Sequence, residues 1–72
     1  MKVLTFPYQC TITEYETGNT SLGKFPEGNK YKYCGEFFMF KEKYFTNVCI
    51  MTFQSKTGKT LIFKGLPKYI EI

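Results

Sequence analysis

Apolar and polar side chains alternate with a period of two near the start of the chain. Within residues 3–13, one set of alternate positions is apolar or aromatic throughout: Leu4, Phe6, Tyr8, Cys10 and Ile12. This period is typical of a strand that buries one face. Because Pro7 cannot donate a backbone hydrogen bond, the pattern predicts that this strand lies at a sheet edge or carries a bulge.

Residues 14–29 interrupt the alternation. Gly, Pro and Asn are frequent here and apolar side chains are few, which predicts a long loop rather than a helix. Leu22 and Phe25 are its expected anchors on the core. A loop of this length in a compact domain is often functional or mobile, and a surface excursion pinned by Phe25 is the alternative.

A second β segment is predicted for residues 30–41. Alternation holds as far as Gly35, where a bulge or bend is expected. Residues 37–40 are all apolar, which favours a strand buried on both faces, with a helical turn as the alternative. Glu42 and Lys43 are then expected to form a tight turn.

The best-supported local structure is a hairpin within residues 44–64. A three-residue loop over residues 56–58, with Gly58 at positive φ, closes it. The resulting pairs make one face wholly apolar, with Phe53 opposite Leu61 and Met51 opposite Phe63, while Gln54 meets Thr60 and Thr52 meets Ile62 on the other face. A two-residue turn would shift the register by one and mix these sets.

Beyond Gly65, the sequence predicts a turn and a short closing strand with Tyr69 and Glu71 on one face. Residues 65–72, Gly-Leu-Pro-Lys-Tyr-Ile-Glu-Ile, resemble the closing segment of SH3 domains. The resemblance implies a shape class only, since the Trp of that family's peptide groove is absent. We expect one all-β domain over residues 1–72, a five-stranded antiparallel barrel or strongly bent sheet that is SH3-like or OB-like.

The size of the chain limits its stability. A domain of 72 residues buries only somewhat more than about 60% of its unfolded surface. The eight Phe and six Tyr are expected to compensate by enlarging the buried apolar surface, because each aromatic ring buries on the order of 150–250 Å². Association into a homo-oligomer would be a second way to bury apolar surface, and the sequence is also compatible with it.

Several residue types that carry chemistry are missing. The chain has no His, Asp, Arg or Trp, and general-base catalysis and metal ligation lean on the first two. Its six Glu accompany no candidate nucleophile. We therefore expect no enzyme activity, no metal and no cofactor.

The cysteines and the lack of long apolar runs bear on the compartment. Cys10, Cys34 and Cys49 are odd in number and form no C-x-x-C pair, so we expect reduced thiols buried as small apolar groups. No stretch has the length of a membrane span or the apolar core of a signal peptide. These features predict a cytoplasmic protein that does not bind membranes.

The charge of the chain suggests what it binds. The formal net charge is +4, and all ten positive side chains are Lys, which suits diffuse attraction better than bidentate recognition. We expect a module that binds an acidic face of another protein. Abundant Lys, Ile, Phe, Tyr and Asn indicate an A+T-rich genome, which fits a phage-encoded inhibitor or accessory factor.

A single-stranded nucleic-acid-binding domain is the alternative function. Lys30-Tyr31-Lys32-Tyr33 is similar in composition to the cold-shock OB-fold proteins, which stack bases on aromatic rings between lysines. For either partner, the predicted site combines the lysines around the long loop and the following segment with those neighbouring tyrosines that stay exposed: Lys24, Lys30, Tyr31, Lys32, Tyr33, Lys41, Lys43 and Tyr44. The alternative is that Tyr31 and Tyr33 face the core and that Lys30 and Lys32, on the opposite face of the strand, are merely solvated.

Overall fold

The computed structural model describes residues 1–5 and 9–71. In that part of the chain every regular element is a strand: β1 (Lys2–Thr5), β2 (Gln9–Glu14), β3 (Thr20–Lys24), β4 (Lys30–Tyr33), β5 (Glu36–Phe45), β6 (Cys49–Ser55), β7 (Thr60–Gly65) and β8 (Lys68–Glu71). The all-β prediction is therefore confirmed.

The strands form one large sheet and one small ribbon. Six antiparallel strands are ordered β3-β2-β7-β6-β5-β4, and β1 pairs with β8 alone. The large sheet is a curled half-barrel, as the predicted bent sheet requires, although it has six strands where five were expected. β8 does not close this sheet, because its partner is β1.

The curl follows from the connection between the two edge strands. β3 and β4 lie at opposite edges of the sheet, and residues 25–29 alone join them. In a flat sheet the edges would stand five strand spacings, roughly 24 Å, apart, whereas this connection reaches only about 20 Å. The edges must therefore bend towards each other. The bulge in β5 between Phe40 and Glu42 adds local twist and bend.

The core lies on the concave face of the half-barrel. Its buried members come from four strands: Cys10 and Ile12, Phe38, Phe53, and Leu61 with Phe63. Tyr31 of the edge strand folds over them, with its ring centroid 5.0 Å from that of Phe63 in an edge-to-face arrangement. The tyrosines of β4 thus act as a lid on a core for which the chain has no second layer.

Two polar side-chain contacts join segments that are distant in sequence. The hydroxyl of Tyr33 donates a hydrogen bond to the Glu14 carboxylate at 3.3 Å, joining β4 to β2 across the concave face. The Glu16 carboxylate accepts the backbone N–H of Thr60 at 2.9 Å, which joins the end of β2 to its neighbour β7. The contact of Tyr33 with Glu14 links strands that are not neighbours in the sheet, so it helps to hold the curled shape.

The hairpin of β6 and β7 has the predicted register. Met51 pairs with Phe63 and Phe53 with Leu61, and Thr52 pairs with Ile62 between them. The loop is closed by hydrogen bonds from the Ser55 N–H to the Lys59 carbonyl and from the Gly58 N–H to the Ser55 carbonyl. Gly58 has a φ of 88°, as predicted.

The prediction of a long loop over residues 14–29 is wrong. Residues 20–24 form β3, which pairs with β2 through a turn closed by the Glu14 and Gly18 N–H groups. The strand lacks apolar alternation because a Cβ on Gly23 would lie 2.5 Å from the Ile12 side chain. Leu22 is 86% exposed and anchors nothing, whereas Phe25 packs on the core as expected.

The predictions for the second β segment need two corrections. Glu42 and Lys43 do not turn, since β5 continues through the bulge to Phe45. Phe38 alone of the apolar run is buried: Phe40 shares its face but is 39% exposed, and Phe37 and Met39 are exposed on the other face. The expected bend at Gly35 is a two-residue hairpin turn, in which Cys34 (φ 51°) and Gly35 (φ 78°) both take left-handed values.

Two predictions fall on parts of the chain without a described structure. Pro7, expected at an edge or bulge, lies outside the described residues. The predicted facing of Tyr69 concerns a side chain that is likewise outside them. The predicted short C-terminal strand is present as β8.

Replacement of Gly58 tests the hairpin loop. A Cβ at this position would meet no atom within 4 Å, so the cost of Gly58→Val is backbone strain alone, about 1 kcal/mol or more. Asn tolerates left-handed φ better than a β-branched residue does. In urea unfolding, wild type should be the most stable, Gly58→Asn intermediate and Gly58→Val the least stable. Equal stability of the two variants would contradict the loop geometry.

A network at the same loop predicts a titration shift. The pKa of the Glu36 carboxyl is lowered, first because Thr57 donates a hydrogen bond to it at 2.7 Å, then because Ser55 does so and Lys59 lies nearby. Thr57→Val should raise the pKa of Glu36 in a carbon-13 NMR titration, and by more than Lys59→Gln. A value unchanged by Thr57→Val would show that the hydroxyl is not the main cause.

The sign of the linked stability follows from the lowered pKa. The Glu36 contribution is complete above the unfolded pKa of about 4.3 and is lost as pH falls through the lower folded value. Below about pH 4.3 the wild type should therefore lose stability more steeply than Thr57→Val. Urea unfolding at a series of acid pH values measures both slopes.

Candidate functional site

Strand β4 places its lysines and tyrosines on opposite faces of the sheet. Tyr31 and Tyr33 are half-buried and pack against the core, whereas Lys30 and Lys32 are exposed. Side chains alternate across a strand, so the sequence Lys-Tyr-Lys-Tyr produces one aromatic and one basic face. The basic face belongs to the convex outer side of the half-barrel.

The turn after β4 brings an exposed aromatic ring between these lysines. Phe37 pairs with Lys32 across the hairpin and is 50% exposed. The Nζ atom of Lys30 lies 4.1 Å from the ring centroid and that of Lys32 lies 5.7 Å from it. Cation–π attraction therefore holds two ammonium groups at defined positions around an accessible ring.

The exposed apolar surface continues along β5. Met39 is 49% exposed and Tyr44 is 52% exposed, and register places both on the outer face, opposite Gln54 and Ile50. Lys41, the extra residue of the bulge, donates a hydrogen bond to the Gln54 side chain at 2.8 Å. We call this set the Phe37 surface: Lys30, Lys32, Phe37, Met39, Lys41 and Tyr44.

The structure gathers half of the predicted site residues in one place. Lys30, Lys32, Lys41 and Tyr44 all belong to the Phe37 surface. Lys24 lies on β3, at the opposite edge of the sheet. Tyr31 and Tyr33 face the core, and Lys43 shares the concave side with Met51 by register.

Phe37 and Met39 were missed as site residues. The prediction that the apolar run is buried on both faces assigns both residues to the core. A hairpin turn at Cys34 and Gly35 would have revealed them, since it pairs Phe37 with Lys32 and Met39 with Lys30. Cys is unusual at a left-handed turn position, so the sequence does not indicate this turn or the strand register that it sets.

One carboxylate modifies the basic character of the surface. The Glu42 side chain accepts a hydrogen bond from the Tyr44 hydroxyl and also repels its ionised form, which raises the pKa of Tyr44. The interaction with Glu42 therefore favours the neutral, hydrogen-bond-donating form of Tyr44. The surface carries three lysines against this single Glu, so its net charge is positive.

The Phe37 surface offers groups that bind through charge and apolar contact. Its groups are ammonium ions, aromatic rings and a thioether, with no pair of nucleophile and base among them. Across the described residues, no three Cys or Glu side chains cluster as metal ligands would.

Accessibility separates the three cysteines. Cys10 and Cys49 are buried and Cys34 is exposed, so the expectation that all three are buried is wrong for Cys34, which the hairpin turn holds at the surface. Burial is the first cause of the raised pKa of both the Cys10 and Cys49 thiols. Cys34 therefore differs from them in both access and surroundings.

Alkylation kinetics test this difference. In the native protein, iodoacetamide should modify one thiol fast and two slowly, because only accessible thiolate reacts. Cys34→Ser should remove the fast phase, while Cys10→Ser should leave it unchanged. Three equal native rates, measured by mass spectrometry, would show that Cys10 and Cys49 are accessible in solution.

No helix in residues 1–5 and 9–71 is long and apolar enough to cross a membrane.

No protein-family model, curated protein or solved structure matches this chain.

Proposed function

We propose that the protein is a non-catalytic binding module that docks on an acidic face of another protein through the Phe37 surface. The observation that carries the proposal is the half-exposed Phe37 ring with an ammonium group over it. An exposed aromatic side chain loses little conformational entropy when it is buried at an interface. The flanking lysines supply charge that attracts carboxylates on the partner.

The composition of the surface supports a protein partner. Aromatic residues and Met are enriched in the centres of protein interfaces, with charged groups nearer the rim. Phe37, Met39 and Tyr44 provide such a centre, and Lys30, Lys32 and Lys41 surround it. Rim charges of one sign mainly accelerate encounter with an oppositely charged face.

The position of the tyrosines weighs against the alternative, a single-stranded nucleic acid. Base stacking uses several accessible rings along a basic groove. Tyr31 and Tyr33 point into the core, and one face of Phe37 already holds Lys30. The absence of Arg removes the side chain best suited to phosphate.

The proposed role is that of an inhibitor or accessory factor. A small module without catalytic groups acts by covering a surface or by holding its partner in one state. Free thiols at Cys10, Cys34 and Cys49 fit a reducing cytoplasm, and the A+T-type composition fits a phage gene product.

Charge reversal on β4 tests the proposal. Lys30→Glu/Lys32→Glu should abolish capture of an acidic protein from native host lysate, chiefly by slowing association. Lys2→Glu/Lys56→Glu makes the same change in net charge at exposed positions away from the surface, and it should still capture the protein. Quantitative mass spectrometry of the captured proteins measures both; equal capture by the two variants would refute the site.

Removal of the ring separates the two candidate partners. Phe37→Ser should weaken protein capture by about tenfold or more, since the buried ring is worth about 1.5–3 kcal/mol. Capture should survive moderate salt, whereas oligonucleotide binding would fall log-linearly with salt. Tight, salt-sensitive binding of oligo-dT by wild type, without any captured protein, would favour the nucleic-acid alternative.

A further inference from the structure

A second feature of the outer face lies at the other end of the sheet, where the β1–β8 ribbon leaves it. A cleft of about 620 Å³ opens there between β2, β3 and β7 on one side and residues 66–68 on the other. This volume lies within the range of pockets that hold ligands or anchor side chains, about 300–1,000 Å³.

The walls of the cleft are apolar and unusually exposed. Leu22 and Leu66 both line it, and they are 86% and 75% exposed. Val48 and the backbone of Gly65 add to the apolar lining. Neither leucine belongs to the hydrophobic core of the described residues, so packing on that core does not explain apolar side chains at these positions.

The charged groups at the cleft have one sign. Lys64 and Lys68 line it, and no carboxylate belongs to its described lining. Thr11 also lines the cleft, and its hydroxyl donates to the Lys64 carbonyl at 3.1 Å, which fixes the neighbouring strands. An occupant that is both apolar and negatively charged complements this combination of leucines and lysines.

The cleft and the Phe37 surface share one face. By register, Tyr44, Ile50, Lys64, Thr11 and Leu22 form one row across five strands of the outer side. Such a row spans about 19 Å, and a standard interface covers about 800 Å² on each partner. One partner can therefore cover both.

We infer that the cleft binds an apolar side chain in an acidic segment of the partner protein. The inference rests on the proposed function, because it places the cleft within the same footprint. The apolar side chain would lie between Leu22 and Leu66, and carboxylates beside it in the segment would face Lys64 and Lys68. The occupant is a peptide segment rather than a small amphiphile, since the cleft is open along one side.

Two short synthetic peptides test the cleft without the partner. Both consist of glutamates around one central residue, which is phenylalanine in the first and serine in the second. In nitrogen-15 NMR titrations the phenylalanine peptide should shift the amide signals of Thr11, Leu22, Lys64 and Leu66, and the serine peptide should not. Equal shifts with both peptides, shifts confined to the Phe37 surface, or no shifts at millimolar peptide would overturn the inference.

Matched variants assign the binding to the two parts of the cleft. Leu22→Ser/Leu66→Ser should weaken the phenylalanine peptide about tenfold, while Tyr15→Ser, at another exposed apolar position, should not. Lys64→Gln should weaken it less and reduce its salt dependence. Unchanged affinity in all three would overturn the inference, as would decanoate displacing the peptide at micromolar concentration.

The result of the peptide titrations does not depend on the result of the test of the proposed function. Charge reversal at Lys30 and Lys32 leaves the cleft intact, so that double variant should still bind the phenylalanine peptide. Peptide binding without capture of a protein would refute the Phe37 surface as the docking site. Capture without peptide binding would refute the cleft alone.

Discussion

The fold depends on the contact of β4 with the concave face of its own sheet. A single sheet has no second layer against which to bury an apolar face, and this chain meets the requirement by curling until Tyr31 lies against Phe63 and Tyr33 reaches Glu14. The aromatic rings are large enough to cover the core from one edge strand. Because the lid is part of the same sheet, the core is covered on the concave side, and both candidate binding features lie on the opposite face.

The parts of the fold that could be predicted are those in which local chemistry and burial agree. In the β6–β7 hairpin, Gly58 satisfies the turn, and the pairs Met51 with Phe63 and Phe53 with Leu61 collect the apolar side chains on the buried face. Only one register achieves both. β3 could not be found in this way, since its neighbour Ile12 fills the space above Gly23 and its Leu22 faces solvent. An edge strand whose residues are limited in size by a neighbouring strand shows little alternation of apolar and polar side chains.

The candidate site was half predictable for a related reason. Lysines on an outer strand indicate a solvent-exposed face, so Lys30, Lys32 and Lys41 could be identified as candidate site residues from the sequence. The side on which an aromatic ring falls depends on the register of the next strand, and that register is set by the turn at Cys34 and Gly35. Tyr31 and Phe37 exchange their expected places for this reason: the tyrosine covers the core and the phenylalanine faces solvent.

The lysines of β4 have a second physical role, which bears on how the Phe37 surface is interpreted. β4 is an edge strand, and charged side chains on edge strands prevent pairing with other chains. Edge protection explains Lys30 and Lys32, yet it predicts polar side chains opposite them on β5. Phe37 and Met39 occupy those positions instead, and exposed apolar groups beside an open edge increase the risk of aggregation. Neither side chain is buried in the folded monomer, and the Phe37 ring contacts the ammonium groups of Lys30 and Lys32 rather than the core. A partner that covers Phe37 and Met39, as we propose, would supply a reason for their exposure.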